Sequence, residues 1–405
     1  MRRRYPRLRG ALTVMLVLLA FARSGGAAPA GASPADYVAD EVIVKLKPLA
    51  SILNLAAAFG LSPIVRTFDR LGDAPIYRLK IVDGLSPPLK AAALALSPLV
   101  DYAEPNYIGQ VPEGVYVSSW SKGGDDPGAY LGQWAPDTIG LPEALAVSRG
   151  AGVIVAVLDT GVDRAHPALR DHLIQGFDFV DLDTDPSEEG AYKRDPAFGH
   201  GTHVSGLIAL TAPDAKIMPL RILKPDGTGD SWLLAQAIRY AADQGARVIN
   251  ISYAVSHRSA LIDELLGQVT SVLPGAVIAA AAGNSASSAR MYPAGEDTPG
   301  VLAVAASTIS DRLASFSNYG AWVDVAAPGE GIVSTVPLSS GFAYAAWSGT
   351  SMATPLVAGT AALVRAARPG ISAANTTALL ASSAAEITGP VPRRLDAAAA
   401  LGNAP

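Results

Sequence analysis

The sequence predicts an α/β protein in two parts: a three-layer domain on a mainly parallel sheet over residues 135–405, preceded by a small α+β domain over residues 36–110. Three observations point there. Beyond residue 135, short and nearly continuous apolar runs alternate with helical stretches, the pattern of strands buried on both faces of a parallel sheet. Between residues 36 and 110 six short elements follow one another in about 70 residues, enough for one small sheet with two helices. Half of the residues are apolar and the mean hydropathy is positive, so the 405-residue chain can fill sizeable cores.

Taken in order, the chain starts with a basic cluster (Arg2, Arg3, Arg4, Arg7, Arg9), an apolar run from Ala11 to Ala22, and small residues from Gly26 to Ala30. That is an export signal over residues 1–30, because the run is shorter than the ~20 residues of a membrane span. The protein is expected to be secreted, extracellular or periplasmic if the cell has an outer membrane, without a stable membrane anchor. Glu41 to Leu46 then reads as a strand and Ser51 to Phe59 as a helix ended by Gly60. Pro63 to Phe68 and Pro75 to Ile81 are two further strands, Pro88 to Leu96 a helix and Leu99 to Tyr107 a last strand. The order β-α-β-β-α-β is ferredoxin-like. Without a histidine and with scattered acids, this domain reads as a binding or chaperoning module. Residues 111–134, rich in Gly, Ser, Pro and Asp, suit an exposed linker that could be cut.

In the second domain the strands are Val153 to Leu158, Ile174 to Val180, Ile217 to Ile222, Val248 to Ile251, Val277 to Ala281 and Val301 to Ala305. Ser231 to Gln244 and Ala260 to Leu273 are helices between them. Reactive groups in such sheets lie just past the carboxyl ends of strands. Asp159 ends the first strand and Asn284 a later one. His200, in Gly199-His200-Gly201-Thr202-His203, stands where an apolar helix begins. Ser351, in Gly349-Thr350-Ser351-Met352-Ala353-Thr354-Pro355, sits in a small-residue turn, with Pro355 expected in the first turn of the next helix. Singly these residues are bland: Asp159 a turn former or metal ligand, Asn284 a turn cap, Ser351 a helix cap. His200 and His203 lack the glutamate and the i, i+4 spacing of a zinc pair. Together they supply an acid, an imidazole, an amide and a hydroxyl at element ends.

With those blocks, and with Ala281-Ala282-Gly283-Asn284 and Ala327-Pro328-Gly329 in order, the chain from about residue 130 onwards resembles the subtilisin-like serine proteases. The first domain is similar to the inhibitory propeptide of that family, most clearly over Asp101 to Tyr107. The resemblance implies a secreted serine endopeptidase made as an autoprocessed zymogen. In it Ser351 is the nucleophile, His200 the general base and then acid, Asp159 the residue that orients and stabilises the imidazolium, and Asn284 an oxyanion donor beside the backbone N–H of Ser351. Substrate would lie as a strand against Gly227, Thr228 and Gly229 on one side and Ser252, Tyr253 and Ala254 on the other, close to Ala281, Gly283 and Thr350. Met291 and Ala254, where the family favours smaller residues, imply a narrowed pocket for small or medium apolar side chains. The propeptide would leave its tail in the cleft as an intramolecular inhibitor. His203 is expected to be structural.

No cofactor is implied. The family's calcium aspartate is replaced by Ala168 in His166-Pro167-Ala168-Leu169, and Leu207 to Pro213 runs almost directly into the next strand without the usual calcium loop. The acidic run Asp181 to Asp185 offers oxygens for a different ion, but without the turn glycine of a calcium loop it reads more readily as a solvated loop. A net charge of −5 spread over the chain argues against a nucleic-acid partner, and the absence of cysteine excludes disulfides and thiolate chemistry. Two other readings use the same residues: an esterase or peptide ligase on the same triad, and a non-catalytic peptide-binding relative.

Overall fold

The computed structural model describes residues 36–63, 71, 74–114, 121–272, 275–391 and 393–402. The expected export signal of residues 1–30 and nearly all of the expected strand Pro63 to Phe68 lie outside them. The first domain consists of β1 (Tyr37–Leu46), α1 (Ile52–Phe59), β2 (Leu61–Pro63), β3 (Ile76–Ile81), α2 (Pro87–Ala95) and β4 (Val100–Gln110). Local chemistry sets the helix ends: the Ser51 side chain accepts the N–H of Asn54 to start α1, and α2 begins on Pro87. β1 runs antiparallel to both β3 and β4. Alternation along β1 gives it two roles. Val42, Val44 and Leu46 fill the domain's own core with Leu55, Leu79 and Leu94, whereas Ile43 joins the core of the second domain with Trp232 and Leu261.

The second domain carries a nine-stranded sheet made from β6 (Ile154–Asp159), β7 (Phe177–Asp178), β8 (Lys216–Arg221), β10 (Val248–Ile251), β11 (Val277–Ala281), β12 (Val301–Ser307), β13 (Val325–Pro328), β16 (Ala385–Glu386) and β17 (Arg393–Arg394). Its order is β16-β17-β13-β12-β11-β10-β6-β8-β7, and every neighbouring pair is parallel except β16 with β17. Both faces are covered, which is why the strands read as unbroken apolar runs. Val155 and Val157 of β6 meet α3 (His200–Thr211) and α6 (Thr350–Ala367) on one face; Ala156 and Leu158 meet α4 (Ser231–Asp243) and α5 (Ala260–Ser271) on the other. α6 is buried from Thr350 to Arg365, so it passes through the core, consistent with a helix that is small or apolar all round. β9 (Thr228–Asp230) is the join between the domains, since it pairs antiparallel with β4. No helix among the described residues is long and apolar enough to cross a membrane.

Two details differ from the sequence reading. The expected linker is folded onto the second domain from Ser121 onwards. There β5 (Ser121–Gly124) pairs with β15 (Tyr344–Trp347), the hydroxyl of buried Tyr130 donates to the Gly206 carbonyl at 2.7 Å, and Gln133 hydrogen-bonds both ways with the Val333 backbone. Glycine, aspartate and proline mark turns there, and the aromatic and amide side chains between them provide anchors. Pro355 is also not in the first turn. α6 starts at Thr350, so Pro355 lies one turn further in and has no N–H to give to the carbonyl of Ser351.

The acidic run Asp181 to Asp185 is exposed along its length, as the sequence reading expects, and its first residue has a further partner. Asp181 joins Asp178 and Glu189 around the guanidinium of Arg221, whose Nη1 is 2.5 Å from Asp178 Oδ2 and 2.6 Å from Asp181 Oδ2, with Nη2 2.7 Å from Glu189 Oε2. These three acids form the one cluster of metal-ligating type among the described residues, and an internal cation already sits among them. Arg221 and Asp178 are both 1% exposed. Arg221→Met leaves the Asp178 carboxylate buried and unpaired, and is expected to cost about 3–5 kcal/mol in stability. Urea unfolding of the protein with Ser351 replaced by alanine measures this without self-digestion.

Candidate active site

The carboxyl ends of β6 and β11 and the N-termini of α3 and α6 meet at one point. β6 delivers Asp159 as its last residue, and Asp159 Oδ1 accepts its neighbour's N–H, from Thr160, at 2.8 Å. α3 begins on His200, so the imidazole projects from the helix start, and its Nδ1 lies 2.6 Å from the same Asp159 Oδ1. Two side chains set the pitch of α3 behind it. Glu188 accepts both the N–H and the hydroxyl of Thr202, and Thr160 Oγ1 accepts the N–H of Gly201. His203 points the other way, stacked on Trp347 with its Nε2 3.1 Å from the Ala345 carbonyl. Burial pulls its imidazole down to about 3, so it stays neutral and donates from Nε2.

Asn284 follows β11 in a turn that Asn318 holds. Asn318 accepts the N–H groups of Ser285 and Ser287 and donates to the Ala282 carbonyl. The Asn284 amide is oriented in turn: its oxygen accepts the N–H and the hydroxyl of Thr350, each at 2.9 Å, which leaves the NH₂ group to donate elsewhere. Ser351 is the second residue of α6, so its backbone N–H has no partner within the helix. Asn318 and Glu188 carried no signal in the sequence reading; both act on backbone groups more than ten residues away.

A residue that the sequence reading had left in the linker fills the space between these groups. Glu113 lies in a single 3₁₀ turn, Pro112–Gly114, and its carboxylate is buried at the centre. Its Oε1 accepts the Asn284 amide at 3.0 Å and the Ser351 N–H at 3.3 Å. Its Oε2 accepts the Ser351 hydroxyl at 2.7 Å and lies 3.1 Å from His200 Nε2. A Cβ on Gly349 would overlap Glu113 Oε1, so a glycine is needed there for the carboxylate to approach. Burial alone would lower the pKa of His200. The Asp159 and Glu113 carboxylates on its two sides outweigh that and push it up to about 10. Glu113 is held below the ordinary carboxylate range: burial opposes ionisation, but the hydrogen bond and charge of His200 prevail, helped by Ser351 and Asn284. The two groups are therefore an ion pair at neutral pH.

The tail of the first domain leads Glu113 into place. Gly109 pairs with Gly229 and Gln110 with Thr228; Gln110 also exchanges both backbone hydrogen bonds with Ala254, at 3.0 and 2.9 Å, and the Val111 N–H reaches the Gly227 carbonyl at 3.0 Å. The tail is thus the middle strand of three, between Gly227–Asp230 and the stretch holding Ser252, Tyr253 and Ala254. Ala281 ends β11 inside the core, and the Met291 side chain packs beside Gly283. Further back, Glu104 caps α5 by accepting the Ser259 hydroxyl at 2.6 Å and the Ala260 N–H at 2.7 Å. Asn106 accepts the N–H of Trp232 in the first turn of α4. Both are in the Asp101 to Tyr107 segment that carried the family likeness of the first domain.

Comparison with known proteins places the fold in a family. Residues 150–400 match the model described as the subtilase family, and residues 24–106 match the fervidolysin N-terminal prodomain. The chain is 38% identical over 339 residues to a thermophilic serine proteinase of Bacillus sp. (strain AK1), covering 81% of this chain and 78% of that protein. It is 40% identical over 275 residues to thermitase of Thermoactinomyces vulgaris, covering 65% of this chain and 92% of that one. The crystal structure of fervidolysin from Fervidobacterium pennivorans, described as a keratinolytic enzyme related to subtilisin, superposes with a TM-score of 0.74 at 26% identity. That match takes in 92% of this chain and 62% of fervidolysin. Fold, prodomain and relatives together define a serine endopeptidase preceded by its own prodomain. The chain belongs to the subtilase family.

Proposed function

We propose that the chain is a secreted zymogen that hydrolyses peptide bonds through Ser351, His200 and Asp159, with Glu113 holding it inactive until the prodomain is cut away. The observation that carries this reading is the bound carboxylate. An anion rests where the Asn284 amide and the Ser351 N–H converge, beside the Ser351 hydroxyl, which is the place an oxyanion formed by attack of Ser351 would take. With Glu113 gone, neutral His200 takes the proton of the Ser351 hydroxyl as the oxygen attacks the carbonyl carbon, and later gives it to the leaving amine. Asp159 keeps the Nδ1 proton in place and stabilises the imidazolium. Water then releases the acyl group by the same steps. Two strand edges already hold an extended chain there, which suits a peptide substrate. Export rests on the basic and apolar pattern of residues 1–30.

A serine-directed fluorophosphonate tests the assignment. The mature form is expected to be labelled at Ser351, and an unlabelled mature form would favour a peptide-binding relative without activity. Comparing ester and amide substrates with one acyl group separates the endopeptidase from an esterase.

The latch makes its own prediction. The Glu113 pKa is lowered by folding, so its contribution to stability is complete above about 4.5 and fades as pH falls through the lowered value. The His200 pKa is raised, so its contribution is complete below about 6.5 and declines as pH rises, vanishing above about 10. The uncut chain should therefore be held most firmly between those two limits. Glu113→Gln removes the negative charge, and fluorophosphonate labelling of the precursor at pH 6 is expected to become at least about tenfold faster, the effect of one lost charge-assisted contact. Equal rates would show that Glu113 does not restrain Ser351.

A further inference from the structure

Gly109 lies flat against Tyr253. A Cβ on Gly109 would overlap the ring, its three nearest atoms being Cζ, Oη and Cε2 of Tyr253. The glycine is not required by its backbone, because Gly109 is absent from the positive-φ positions and sits in the regular strand β4. It is required for space. Tyr253 is wholly buried while the tail covers it, and its other side packs in the core beneath α4 and α5 with Trp232, Leu261 and Val255 of the second domain, so moving the ring away from a side chain at position 109 would disturb those contacts. Two residues on, Val111 is on the same side of the strand and is received differently. Its side chain is buried over Gly227 and Ala197, where a Cβ on Gly227 would come 2.8 Å from Val111 Cγ2. Gln110, between them, remains half-exposed. The track that the prodomain tail follows thus has a seat for an aliphatic side chain at one position and a wall two positions earlier.

We propose that Tyr253 is a specificity-determining residue that closes the cleft to side chains at the Gly109 position, so that favoured substrates carry glycine two residues before the residue seated on Gly227. This rests on the reading above that substrate follows the same track as the tail. The inference concerns sequence preference rather than activity, so the two can fail separately. Forcing a methyl group or more against a packed ring is an overpacking cost, worth about tenfold or more in kcat/KM.

The experiment uses the mature enzyme and internally quenched peptides with Gln and Val fixed as at positions 110 and 111. The residue preceding Gln is varied through Gly, Ala, Val, Leu and Phe, and cut sites are fixed by mass spectrometry. Wild type is expected to favour glycine over alanine by at least about tenfold in kcat/KM, and over leucine by more. In Tyr253→Leu and Tyr253→Ala the leucine-to-glycine ratio, measured within each variant, should rise at least about tenfold. Wild type that cuts the leucine peptide as well as the glycine peptide overturns the proposal, as does a glycine preference that survives both substitutions. Failure to cut casein or any peptide would instead overturn the protease reading. If neither Tyr253 variant folds, the full chain decides: Gly109→Ala should slow maturation at least about tenfold, and normal maturation counts against the wall.

Discussion

Ser351→Ala is expected to lower kcat by about 10⁶, the loss known for this exchange in subtilisin-type proteases, and to leave the precursor uncut. No other nucleophile can take its place. The chain has no cysteine, and the adjacent Thr350 hydroxyl is committed to the Asn284 oxygen at 2.9 Å. Alanine suits the start of a helix and removes only one buried hydroxyl, so the variant should fold and keep its prodomain docked through Glu104 and Asn106. The hydrogen bond from the Ser351 hydroxyl to Glu113 is lost, but the Asn284 amide and the helix N–H still hold the carboxylate. Mass spectrometry of the purified protein gives the answer. A variant that still loses its prodomain, Glu113 included, would show that maturation is carried out by another protease.

On the proposed reading, the latched centre is also what lets an uncut chain be made without digesting its neighbours. His200 between two carboxylates is protonated at neutral pH and cannot act as a base. The Ser351 hydroxyl donates its hydrogen bond to Glu113, and the carboxylate takes up the Asn284 amide as well. A substrate would have to displace the tail from both strand edges and expel the carboxylate. On that reading prodomain inhibition has a steric part, carried by residues 108–111, and an electrostatic part carried by Glu113.

Periodic features were legible in the sequence. The unbroken apolar runs of β6, β10, β11 and β12 follow from burial on both faces, and Asp159 and Asn284 stand just past strand ends because that is where a parallel sheet exposes its chain reversals. What was not legible depends on distant partners. Glu113 meets groups 87 to 238 residues away, and a lone glutamate between proline and glycine looks like any loop acid. Asp181, at the head of the exposed acidic run, reads as one more solvated acid until the fold brings Arg221 beneath it from β8. Residues 121–134 have linker composition, yet the placement of Tyr130 and Gln133 is decided by slots in Gly206 and Val333 that the local sequence does not contain. Tyr253 was recognisable as a residue of the cleft wall. That its ring fills the space beside Gly109 depends on the rotamer that the core imposes.

Asp159→Asn separates orientation from charge, and is expected to lower kcat by about 10⁴ while leaving the fold intact. Asp159 Oδ1 accepts both the Thr160 N–H at 2.8 Å and the His200 Nδ1–H at 2.6 Å, and an amide oxygen can keep both bonds. The amide nitrogen would then take the place of Oδ2, which is buried without a partner, so the new donor is stranded and pressed to turn toward the imidazole. If it turns, His200 Nδ1 must accept, the proton moves to Nε2, and the nitrogen that should take the Ser351 proton is blocked. The pH profile distinguishes this from simple damage. The negative charge of Asp159 is one of the groups that raise the His200 pKa, so its removal lets the imidazole stay neutral in more acid solution. In the mature enzyme, where Glu113 has left with the prodomain, the residual activity of Asp159→Asn should therefore extend to lower pH than that of wild type. A general loss of packing would reduce activity at every pH alike, and an acid limb that stays in place would mean that Asp159 does not set the charge of His200.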